Sequence, residues 1–271
     1  VGLDSVNIVW EWHLWDHLVQ DIDPSIPNYG SVLENPQLFD INLGDIPFSS
    51  VGNTSLGDWL HCNSIHYNSN LDQIVISSRF MDEFYIIDHS TTTEEAISSN
   101  GGYYGKGGDI LYRWGNPINY GRGDLSNQQL DNQHSVNWID SNAPGSGNII
   151  LFNNGFSNVL ELTLPHIDGH YSINNYDSFL PETPTWIYEG GFDSGYQSGA
   201  FRLMNGNTLV TLTTTNRIIE VNQEGEVVWE FQLEEGNPTG GYIARALKYP
   251  IDYFKNNLSF SNKIGWNLVG L

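Results

Sequence analysis

Recurring units of four short strands, an aromatic triplet in the last strand of most units, and the lack of helical periodicity predict an all-β fold. Within that class they predict a β-propeller of four-stranded antiparallel blades. The first unit shows the pattern most plainly. Ser64–Asn68, Gln73–Ser78 and Glu83–Asp88 read as strands divided by Asn, Ser and Asp clusters, and Asp109–Trp114 (DILYRW) supplies a fourth. A second unit runs HSVNWID from His134, GNIILFNN from Gly147, NVLELTL from Asn158 and TPTWIYEG from Thr183. The third is the most compact: SGAFRLM from Ser198, GNTLVTL from Gly206, RIIEVN from Arg217 and EVVWEF from Glu226, with turn signals at Asn205-Gly206 and Glu224-Gly225. The alternative is a β-sandwich, which needs no repeat of this kind.

The remaining segments are read from the same frame. Asn7–His13 (NIVWEWH) is expected to be the last strand of a unit whose earlier strands are not in the sequence, and Tyr242–Tyr249 (YIARALKY) the first strand of a further one. The triplets WEW, YRW and WEF give the fourth strands, so Trp10, Trp114, Trp186 and Trp229 are expected on outer strands, covering apolar faces. Residues 14–57 form a long excursion rich in Asp, Pro and Asn; Thr91–Gly108 and Pro165–Pro181 are polar insertions. Residues 1–255 are taken as the propeller and 256–271 as a tail. Propellers close with about four to eight blades. The units seen imply either that blades preceding Val1 are missing, the favoured reading, or that the two terminal pieces complete one mixed blade. In the first case the first strand pairs with another chain, a separate fragment or nothing.

Composition narrows the function. The 271 residues carry 28 glycines and 13% aromatic residues, and 32 acidic against 10 basic residues give a net charge of −22. That charge disfavours nucleic-acid backbones and anionic membranes as partners. One cysteine, Cys62, excludes an intramolecular disulfide and a cysteine-built metal site, and it is read as a small buried apolar residue. No stretch reads as a membrane span or a secretion signal.

First strands of propeller blades line the central axis, so residues just before them gather at one mouth. Matching the units places His61, His134, Ser198 and Tyr242 at equivalent positions. Two histidines from different blades would then face one polar funnel. Arg79 closes the second strand of the His61 unit, near enough to join them and offer an oxyanion its fork of donors; the competing role is an ion pair with Asp82 or Asp88. His66 is on the opposite strand face from His61 and is expected between blades. His13 and His17 stand at i, i+4, but the segment begins as a strand, so no metal site is expected. Arg122-Gly123-Asp124 spells an adhesion tripeptide in a Gly-rich loop.

The segments IVWEWHLWDHLVQDIDP, DWLHCNSIHYN, DQIVISSR, IIDHSTT, GKGGDILYRWGNP, QHSVNWI and GNIILFNNG together resemble the arylsulfotransferases, bacterial enzymes that use aryl sulfate esters, not nucleotide sulfates, as donors. The resemblance covers most of Asn7–Tyr249. It implies a six-bladed propeller, a secreted or periplasmic location, no cofactor, and transfer of a sulfuryl group between phenols through a sulfated histidine. His61 then matches the histidine of the DW-x-H-x-N motif and His134 that of the QH motif, both steadying or protonating sulfuryl and phenolic oxygens. Two features depart from the family. The arginine expected after FNNG is absent, and Tyr196–Leu203 (YQSGAFRL) has no histidine where the nucleophile belongs. Ser198 in that stretch is read as a substrate contact and a poor replacement nucleophile without a base positioned beside it. The expected partner is a phenolic sulfate or another anion; the rival expectation is a non-catalytic binding or extracellular assembly module, with a homo-oligomer or a missing N-terminal segment completing the ring.

Overall fold

A computed structural model describes residues 7–43, 58–174, 176–233 and 242–249. The chain is all-β, and its three main sheets are four-stranded antiparallel meanders. The first joins Cys62–Asn68, Gln73–Ser78, Glu83–Asp88 and Tyr112–Trp114; the second His134–Trp138, Ile149–Asn153, Asn158–Leu162 and Trp186–Tyr188; the third Gly199–Arg202, Thr208–Leu212, Arg217–Val221 and Val227–Gln232. These are the three units read from the sequence, each strand beginning within a few residues of its expected start.

The sheets stack face to face, and this explains why the second sheet's strands read as continuous apolar runs. Ile149 and Leu151 turn to the first sheet, packing with Val75, Phe84 and Ile86. Their neighbours Ile150 and Phe152 turn to the third, packing with Ala200, Val210 and Ile219. With both faces covered, successive side chains are buried on opposite sides and polar alternation disappears. First strands also stack on one another: Val136 N donates to Ser64 Oγ (3.0 Å) and Trp138 N to His66 Nδ1 (3.3 Å). His66 thus links the two first strands but stays exposed on the edge strand, so it is not packed between the sheets as expected; partial desolvation of the ring lowers its basicity.

Ion pairs tie the layers. Glu161 of the second sheet binds Arg202 of the third, and Glu220 of the third binds Lys248 of the following segment. Inside the first sheet, Glu83 and Arg113 are fully buried, with Arg113 Nε 2.9 Å from Glu83 Oε1. Arg113 Nη1 also donates to the carbonyls of Pro36 (3.3 Å) and Leu38 (3.1 Å), anchoring the long excursion to the sheet. That excursion carries a parallel two-residue pairing of Leu18–Val19 with Phe39–Asp40.

Several expectations fail locally. Asn7–His13 is not a strand. Its tryptophans instead bond outward, Trp10 Nε1 to Thr91 Oγ1 (3.2 Å) and Trp12 Nε1 to Gly108 O (2.7 Å), pinning the segment over the first sheet's insertion. Trp114, Trp186 and Trp229 do lie on fourth strands, while Trp10 does not. Tyr242–Tyr249 is not a strand either; Ala246 N donates to Thr211 Oγ1 (3.0 Å), so the segment crosses the third sheet through side-chain acceptors. The Thr91–Gly108 insertion contains one helical turn, Thr93–Ala96, closed by a Thr92/Glu95 capping box. Cys62 is exposed, because its strand is the edge of the first sheet and most of that strand's residues face outward. Arg122 is buried and donates to the carbonyls of Leu33, Asn174 and Asp177, so the tripeptide is a loop anchor. The tail 256–271 and residues 44–57 lie outside the described residues.

Candidate functional site

At each first strand's start the backbone turns through the left-handed region, at His61 (φ 47°), Ser135 (φ 59°) and Ser198 (φ 75°). Non-glycine residues adopt this conformation only when their surroundings impose it, and such positions cluster at functional sites. His61 Nδ1 lies 2.6 Å from Asp58 Oδ2, and the ring packs 4.8 Å from Phe80. Phe80 also carries the Arg79 guanidinium at 5.3 Å, and Arg79 N donates to His61 O (3.2 Å).

Among the described residues Arg79 makes no ion pair, and its Nε is buried without an acceptor. The carboxylates proposed for it are engaged elsewhere. Asp88 accepts from Ser90 N (2.8 Å) and Tyr104 N (3.3 Å), and Asp82 accepts from Asn132 N (2.7 Å) and Gln128 Nε2 (3.0 Å).

His134 is fixed from three sides. Its Nδ1 faces two acceptors, Asn154 Oδ1 (2.8 Å) and Asn132 O (3.0 Å), so Nδ1 carries the proton and Nε2 presents the lone pair. The Asn154 amide is oriented by its own donors, which go to Ser194 O (2.7 Å) and Gln197 O (3.0 Å) beside the third sheet. From the first sheet's side, Gln133 Nε2 donates to Ser77 Oγ, Ser78 O and Glu83 O, and Asn63 Nδ2 donates to Gln133 O (2.6 Å). Burial lowers the His134 pKa; the Asn154 bond opposes this, while the charges of Arg79 and then His61 push it further down. Arg79 and His61 share Phe80, and the Asn63–Gln133 bond joins the starts of the first strands that carry His61 and His134. His134 is expected to titrate below the ordinary histidine value of 6.5 in a proton NMR titration. Asn154→Leu is expected to cost about 1–3 kcal/mol in denaturant unfolding by orphaning its buried partners.

Ser198 is placed differently. It is buried, and its hydroxyl is 2.8 Å from Ser194 Oγ and accepts from Thr213 N (3.2 Å). Its loop is linked to His134 through Asn154, which donates to Gln197 O. His17 and His13 diverge: His17 is buried between Asp109 Oδ1 and Ala96 O (both 2.8 Å), while His13 faces Glu11 in solvent. A cavity of about 300 Å³ beside Trp114, Tyr120, Gln129 and Glu182 includes none of the candidates. The sequence reading named the two histidines and Arg79 but not their partners Asp58 and Asn154, although both stand inside the quoted DW-x-H and FNNG segments.

The model of the arylsulfotransferase (ASST) family matches residues 2–175. The chain belongs to the arylsulfotransferase family. No curated protein matches it significantly. Among solved structures, this family member is similar to a protein of unknown function from Bacteroides caccae (16% identity, 68% of this chain and 50% of that one, TM-score 0.35). It is also similar to a putative 6-phosphogluconolactonase from Bacteroides fragilis (11% identity, 65% and 40%, TM-score 0.36) and to virginiamycin B lyase from Staphylococcus aureus (13% identity, 66% and 57%, TM-score 0.32). Likenesses at these scores support no inference about chemistry. The arylsulfotransferase chain spans about half the length of the first solved structures it matches.

Proposed function

We propose that this arylsulfotransferase-family chain binds the sulfuryl group of an aryl sulfate ester at His61, His134 and Arg79 and passes it to a phenolic acceptor. The observation that carries the reading is Arg79: a cation that makes no ion pair among the described residues and has Asp82 only as a partial countercharge, sharing Phe80 with the His61 ring, in a protein of net charge −22. A guanidinium left unpaired in an acidic protein is an anion site by charge complementarity. His134, held neutral with Nε2 free, suits abstraction of the acceptor's phenolic proton. In the same reading the three sheets are consecutive blades of a propeller, and the protein works in the periplasm or outside the cell.

A second reading, anion binding without turnover, is favoured by one observation. The first strand of the third sheet offers no histidine, and Ser198 is committed to Ser194 and Thr213. Incubation with 4-nitrophenyl sulfate and phenol separates the two. Release of nitrophenolate together with phenyl sulfate supports transfer; binding of the ester with neither product leaves the non-catalytic reading.

A further inference from the structure

Asp82 stands behind the site on the turn between the second and third strands of the first sheet, and both its oxygens are spent on the segment that leads into His134. Oδ1 accepts from Asn132 N (2.7 Å) and Oδ2 from Gln128 Nε2 (3.0 Å), and the Asn132 carbonyl is itself an acceptor for His134 Nδ1 (3.0 Å). We infer that Asp82 is a positioning residue for His134: its ionised carboxylate fixes the 128–134 segment and with it the imidazole's tautomer and aim. The inference rests on the reading of His134 as part of the anion site.

The chemistry of the two bonds makes the arrangement dependent on charge. Both partners are N–H donors, so a carboxylate satisfies both, whereas a protonated carboxyl must turn a donor toward a donor and give up one of them. The surroundings put that choice near neutrality. Burial pushes the Asp82 pKa up to about 6, the Asn132 N–H opposes the rise, the charges of Asp131 and Glu83 add to it, and Arg79 pulls it down. The carboxylate is also a partial countercharge to Arg79. Loss of its charge alone would strengthen anion binding, and loss of the position it imposes would weaken it, so the two roles have opposite signs.

Asp82→Asn is the informative variant. It keeps the left-handed backbone (φ 52°), which asparagine tolerates, and copies the hydrogen-bonding pattern of the protonated acid. Calorimetric titration of 4-nitrophenyl sulfate into wild type and variant should show affinity weaker in Asp82→Asn on the order of fivefold at about pH 7.5 and a ratio approaching one at about pH 5, where wild type is itself protonated. Without ligand, imidazole ¹⁵N shifts at the higher pH should show the Nδ1–H tautomer of His134 in wild type and a mixture in the variant. Gln128→Met, which removes one of the two bonds and no charge, should move both readouts in the same direction, and it serves if Asp82→Asn does not fold. Tighter binding by Asp82→Asn, or an unchanged His134 tautomer in the folded variants, overturns the inference. If wild type binds no aryl sulfate, the proposed function falls, and the tautomer measurement still decides the role of Asp82.

Discussion

Arg113→Met is expected to destabilise the fold by about 3–5 kcal/mol, the range for breaking a buried ion pair from one side. The substitution leaves Glu83, which is fully buried, with only Tyr85 OH (3.2 Å) and Asn119 Nδ2 (2.9 Å) as side-chain donors. It also removes a guanidinium packed against Tyr120 at 4.6 Å and Tyr85 at 5.3 Å, and it releases the carbonyls of Pro36 and Leu38. Domains of this kind hold roughly 5–15 kcal/mol in total, so the loss takes a large share. Glu83→Gln combined with Arg113→Met should recover part of it, because no charge is then left buried. Urea unfolding of the single and double variants measures both effects; a single variant as stable as wild type would show that the pair does not anchor the first sheet.

The second large effect is on binding. Arg79→Met should weaken 4-nitrophenyl sulfate by about 10- to 100-fold, equivalent to about 1.5–3 kcal/mol for hydrogen bonds to a charged group. The fold should be little affected, because among the described residues the guanidinium forms no ion pair; it lies over Phe80 at 5.3 Å. Arg79→Lys keeps the charge and loses the fork, so it should fall between the two. Salt should weaken the wild type more than the methionine variant, since screening acts on the charge that variant lacks. Equal affinities for wild type and Arg79→Met would place the anion elsewhere.

The fold was readable because its signals are local. Turn residues such as Asn205-Gly206 and the apolar runs IVIS, FYII and IILF mark the strands whatever they pack against, and all three sheets follow from them. The terminal segments misled for the same reason. The composition of NIVWEWH suits a strand, but a strand needs a backbone partner, and the described structure gives Trp10 and Trp12 side-chain duties on the insertion instead. Cys62 was misjudged because burial on an edge strand depends on the neighbour of that edge and not on residue type.

Legibility at the site divides in the same way. His61 and His134 are named by matching repeats, because the repeat places equivalent residues at one end of each sheet, and Arg79 by its place at the end of the strand beside His61. What holds them could not. Asn154 reaches His134 across twenty positions by the pairing of two strands within the second sheet, and Asp82 acts through the backbone of Asn132 fifty positions away, a contact that the stacking of the first sheet on the second creates. Ser198 sits at the equivalent sequence position, yet its hydroxyl was claimed by Thr213, a partner supplied by the neighbouring strand's end.

The most direct test of the site is a crystal structure with 4-nitrophenyl sulfate bound. The sulfuryl oxygens are expected within hydrogen-bond distance of the Arg79 guanidinium and of His134 Nε2, with His61 on the same group. An ester seated elsewhere, for example in the cavity beside Trp114 and Tyr120, with His134 and Arg79 untouched, would contradict it.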